Sequence, residues 1–215
     1  MAAGEHEDRH RAGAAAGGET QGYAELGELN FLEEGETRRA LLRLSYWLLG
    51  VSAALGAALL LAGVFDVPGE LAVLREATGL SFGLAISAWG ALLLVASVVA
   101  LPVHELIHGA CFKLMGGGRA KVAYGFSAGM FYAGCPGVTF TRAAYVVVLL
   151  APASLLSVAM LAGGAALRLP LLGYAIFAFH LAGCAGDLYA TWRIHKTPAC
   201  THCEDTACGI KLLGE

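Results

Sequence analysis

Residues 82–108 read FGLAISAWGALLLVASVVALPVHELIH. From Phe82 to Val103 there is no charged side chain, and the stretch is long enough to cross a bilayer core of about 30 Å, which needs roughly 20 helical residues. Three further runs of similar length flank it, at 44–65, 143–166 and 171–192. Asp187 is the only Asp, Glu, Lys or Arg within the four. Helices of this kind have no polar stripe to turn to water, so a soluble bundle is excluded and four transmembrane helices are predicted. The composition agrees: 57% of residues are hydrophobic and 14% charged, against about 25% charged in soluble domains.

Orientation follows from the basic residues. With the N-terminus inside, the arm, residues 104–142 and the tail hold twelve Lys and Arg, and the outer loops hold only Arg75 and Arg168. Both termini are therefore expected in the cytosol. The acids are as uneven: nine of 17 fall between Glu5 and Glu36, and only Glu105 and Asp187 lie between Glu76 and Glu204.

The domain reading has three parts. Residues 1–37 are predicted to be a disordered acidic arm, within which Glu25–Glu36 could form a short amphipathic helix through Leu26, Leu29, Phe31 and Leu32. Residues 38–196 form the four-helix membrane domain, and 197–215 a cytosolic tail containing Cys200, Cys203 and Cys208. The class is thus an all-α membrane protein. Residues 119–142 interrupt it: aromatic and β-branched residues alternate with small ones and are broken by Pro136-Gly137, which predicts a short β-hairpin or re-entrant segment between helices 2 and 3.

The chemistry starts at His104-Glu105-Leu106-Ile107-His108. Helix positions four apart share a face, so both imidazoles can meet one zinc ion, with Glu105 beside the open coordination position. Zinc lowers the pKa of bound water to about 7, and a carboxylate there acts as general base. The alternative is a chance match at a helix end facing headgroups. Against it stands the scarcity of acids, since ionisable groups in spans are costly and usually functional.

A third ligand is needed, and Asp187 is the candidate. Ser81 to His104 spans about 35 Å of helix and Pro170 to Asp187 about 26 Å, so both reach the inner leaflet. An interfacial anchor or a partner for Arg193 is the other reading of Asp187. His180, seven residues earlier, could stabilise an oxyanion, orient a ligand from behind, or serve only as a packing hydrogen-bonder. The small residues Gly183, Cys184, Ala185 and Gly186 would allow close helix approach.

The tail Cys200-Thr-His-Cys203, with Cys208, could bind a second metal. A single CxxC is a weak signal, and reduced, solvent-facing thiols are the favoured reading. The acidic N-terminus carries no visible cleavable signal peptide. No basic cluster suggests nucleic acid.

His104-Glu105-Leu106-Ile107-His108-Gly109, the Tyr/Phe/Gly-rich stretch after it, Ala151-Pro152 and Gly186-Asp187 together resemble the zincin-peptidase family of small polytopic membrane proteins, related to site-2 intramembrane metalloproteases. The resemblance covers roughly residues 40–195. It implies Zn2+ held by His104, His108 and Asp187, with Glu105 as catalytic base, in an HExxH-type intramembrane metalloprotease. The expected partners are a membrane protein or peptide substrate and the lipid bilayer, with room for a homo-oligomer. The expected location is a prokaryotic plasma membrane. A non-catalytic metal-binding or metal-transport protein is the alternative, disfavoured because few polar residues continue through the outer leaflet. A scaffold acting through its arm and tail is the third reading.

Overall fold

A computed structural model describes residues 22–30, 35–127, 130–206 and 209–215. In chain order the elements are β1 (Ala24–Asn30), α1 (Gly35–Leu61), α2 (Val67–Thr78), α3 (Phe82–Gly116), a 3-10 turn (Gly117–Arg119), β2 (Ala123–Ser127), β3 (Met130–Gly134), β4 (Thr139–Thr141), α4 (Arg142–Ala166), α5 (Pro170–Gly183), α6 (Ala185–Lys196), β5 (His202–Asp205) and β6 (Gly209–Gly214).

Helices α1, α3 and α4 are each long and apolar enough to cross a membrane, and α5 with α6 makes a fourth candidate bent by 51°. Their outward faces are apolar, with Trp47, Leu94 and Val158 all well exposed. Such surfaces are compatible with a membrane protein, because water would leave them unsatisfied. The motif helix runs twelve residues past His104, to Gly116, so the HExxH stretch lies inside α3 rather than at its end.

Small residues set the helix spacing. A Cβ on Gly164 would meet the Gly173 Cα at 2.8 Å, so α4 and α5 touch backbone to backbone just before their connecting turn. Tyr174 lies against Gly56 and donates its hydroxyl to the Ser52 carbonyl at 2.6 Å, fastening α5 to α1. The connection before α3, read from the sequence only as a loop, contains α2, whose start is capped by Asp66 accepting from Gly69 N–H. Glu70 on α2 is buried and accepts from the Leu171 and Leu172 N–H groups and from Trp89 Nε1. The two leucine amides are orphan donors at the start of α5, so one carboxylate caps α5 and, through Trp89, ties it to α3.

The expected all-α class is corrected by a four-stranded antiparallel sheet in the order β1-β6-β5-β4. It packs across one end of the bundle, where Phe140, Cys200, Cys203, Ile210 and Leu212 form a core with Phe112 of α3, Tyr145 of α4 and Ile194 of α6. Residues 24–30, inside the arm read as disordered and partly helical, form the edge strand. Residues 1–21 and 31–34 of that arm lie outside the described residues. The tail is folded too, and Cys200 and Cys203, expected to face solvent, are fully buried with their sulfurs 3.8 Å apart. Burial, then the neighbouring Cys200, pushes the Cys203 thiol up. Cys208 lies outside the described residues.

The reading of 119–142 as a hairpin matches β2–β3, a separate two-stranded sheet, with β4 joining the tail instead. Together the strands place the N-terminal segment, the α3–α4 connection and the tail at one end of the molecule.

Candidate metal centre

Three elements build the centre. On α3, His104 and His108 stand one turn apart on one face, 3.0 Å between their Nε2 atoms. On α6, in its first turn, Asp187 reaches both: Oδ2 is 3.1 Å from His104 Nε2, and Oδ1 is 3.4 Å from His108 Nε2. From α4, the Val148 carbonyl accepts the His108 Nδ1–H at 3.0 Å. A carbonyl can only accept, so this bond fixes the tautomer and leaves His108 Nε2 with its lone pair aimed into the triad.

These residues fit a zinc ion. Ligands about 2.0–2.1 Å from zinc in a tetrahedral arrangement stand about 3.3–3.4 Å from one another. The observed separations of 3.0, 3.1 and 3.4 Å fall near that figure. Moreover, the bare His108 nitrogen faces a carboxylate oxygen, two acceptors that need a cation or a shared proton between them. The structure therefore brings together His104, His108 and Asp187, as the helix spacing and depth of the sequence suggested.

Glu105 is half-buried beside both imidazoles and Asp187, with the Ala133 backbone of β3 next to its carboxylate. The hairpin touches the motif at a second point. Gly109 leaves room for the Tyr124 hydroxyl, which a Cβ there would overlap. Strand β3 thus borders the general-base candidate.

His180 lies behind His104, the position that one of its sequence readings, orienting a ligand from behind, requires. Its Nε2 is 3.1 Å from His104 Nδ1. The bend between α5 and α6 is the reason, for it turns the end of α5 toward α3. Cys184 sits at that bend, its Sγ 3.9 Å from His104 Nδ1. The sequence reading took it only for a small packing residue, although its spacing of four from His180 and three to Asp187 put it on their face.

Asp205 was also missed. Its two oxygens accept from Cys135 N–H and the Tyr145 hydroxyl, each at 2.7 Å, so the tail holds the end of β3 against α4. Burial holds the Asp205 carboxyl above its usual range, partly offset by the Tyr145 hydroxyl and the Cys135 amide.

A family model described as "Putative zincin peptidase" matches residues 97–202, a segment that contains the HExxH stretch, the hairpin, His180, Cys184 and Asp187. The match supports a zincin-like family and suggests a zinc-dependent peptidase. No curated protein and no solved structure matches the chain.

Proposed function

We propose that the chain is a membrane-embedded zinc metallopeptidase that hydrolyses peptide bonds near the cytosolic membrane face. The observation that carries this reading is the triad of His104, His108 and Asp187 at zinc-ligand spacing, with a carboxylate one residue from the first imidazole. A zinc ion there supplies a Lewis acid that polarises the scissile carbonyl and acidifies water at neutral pH. Glu105 takes the proton of the attacking water and delivers it to the leaving nitrogen. His108 is held in its ligand tautomer by the Val148 carbonyl.

Strand β3 offers the substrate an edge. A helical segment hides its peptide bonds, whereas a segment unwound and paired along β3 would present an extended backbone beside Glu105. The substrate class is accordingly a membrane protein or membrane-bound peptide with an unwinding-prone stretch. The Lys and Arg count of the arm, connection and tail supports a cytosolic orientation for this end of the bundle under the positive-inside bias, with both termini inside and the apolar helices in a prokaryotic plasma membrane.

Glu105→Gln tests the assignment. Protein N-termini are compared in membranes of cells producing wild type or the variant, alongside zinc content of each purified chain. Neo-N-termini that vanish in the variant while zinc stays bound support the reading. The same cleavage products from both chains would overturn it.

A further inference from the structure

We infer that the side of His104 turned away from Asp187 belongs to a second cation site, formed by His104 Nδ1, His180 Nε2 and Cys184 Sγ, which takes a thiophilic divalent cation and competes with the first triad for His104. The three atoms lie 3.1, 3.7 and 3.9 Å from one another. Zinc–nitrogen bonds of about 2.0–2.1 Å and zinc–sulfur bonds of about 2.3 Å give tetrahedral separations of about 3.3–3.6 Å. One cation can therefore reach all three after shifts of a few tenths of an ångström.

The surroundings favour a ligand over a solvated cluster. His180 and Cys184 are buried, so neither ring nor sulfur has bulk water as a partner. The thiol has one proton, which it gives to the His180 backbone carbonyl at 3.2 Å, leaving sulfur lone pairs beside both imidazoles. Two nitrogens and a sulfur make a softer donor set than the two nitrogens and a carboxylate of the first triad, and soft thiolate sites favour cations such as cadmium.

Proton balance makes the two sites exclusive. Cation binding here releases the Cys184 thiol proton to solvent. It also needs the His104 lone pair on Nδ1, and a neutral imidazole has only one lone pair. The ring proton then sits on Nε2, directed at Asp187 Oδ2 3.1 Å away, as a hydrogen bond where the first triad requires a ligand. A cation in the second site therefore switches off the first. The competition rests on the peptidase reading; ligation by Cys184 does not.

Cobalt and cadmium are the probes, added to the purified full-length chain in detergent micelles. A thiolate-to-cobalt charge-transfer band in the near ultraviolet is expected in wild type and in Asp187→Ala, which lacks only the first triad. The band should disappear in Cys184→Ser, in Cys184→Ala and in His180→Gln. Displacement of zinc from the first triad should need at least tenfold more cadmium in Cys184→Ser than in wild type. Absence of the band from wild type, or its survival in both Cys184 variants with the buried Cys200–Cys203 pair as its source, overturns the proposal. A band present in wild type beside zinc affinity indifferent to Asp187 would leave this site standing and remove the peptidase reading instead.

Discussion

Asp187→Asn isolates the ligand contributed from the distant helix. The substitution keeps size and one oxygen but removes the charge that faces His104 Nε2 at 3.1 Å and His108 Nε2 at 3.4 Å. Four-ligand zinc sites bind with about 10–16 kcal/mol at neutral pH, or about 2.5–4 kcal/mol per ligand. Loss of one ligand should then weaken binding by roughly two to three orders of magnitude, at 1.4 kcal/mol per tenfold. The measurement is competition for zinc against a chromogenic chelator, in micelles, in a Cys184→Ser background so that the second triad cannot retain the metal. Glu105→Gln in the same background should bind like its parent, since Glu105 is beside the triad and not part of it. An Asp187→Asn chain within threefold of its parent would refute the shared-ion reasoning, because the carboxylate would then be an anchor and not a ligand.

Two further outcomes test the frame around the site. Glu70→Gln keeps one acceptor but turns an NH2 toward donors at the start of α5, so thermal unfolding in detergent should show a loss of about 1.5–3 kcal/mol; an unchanged midpoint would mean that Glu70 does not cap α5. Asp205 has a folded-state pKa raised by burial, so the protonated carboxyl favours folding and that contribution is lost as pH rises through the raised value. Wild type should accordingly lose stability relative to Asp205→Asn as pH rises above the ordinary carboxyl value of 3.8, and parallel pH profiles for the two chains would contradict this.

The hairpin illustrates how far local signals reach. Alternating aromatic and small residues between Ala123 and Gly134 predict paired strands, because both partners lie a few residues apart in the chain. The end sheet has no such signal. Strand β1 pairs Ala24 with Gly214 across nearly the whole chain, and the sequences AELGELN and GIKLLG are short and only partly apolar. Nothing within either segment specifies its partner. The buried Cys200 and Cys203 were misread for the same reason: a CxxC in a polar tail looks solvent-facing until another strand covers it.

By itself the sequence determined the apolar helices, the shared face of His104 and His108, and the scarcity of carboxylates that made Asp187 the candidate third ligand. Those features depend on composition and on the helical repeat, both of which act over a few residues. Only the tertiary structure decided that Asp187 closes on the two imidazoles, that the α5–α6 bend sets His180 and Cys184 behind His104, and that the tail braces the hairpin through Asp205. Each of these is a contact between segments far apart in the chain, fixed by how helices and strands bury one another and not by any local preference.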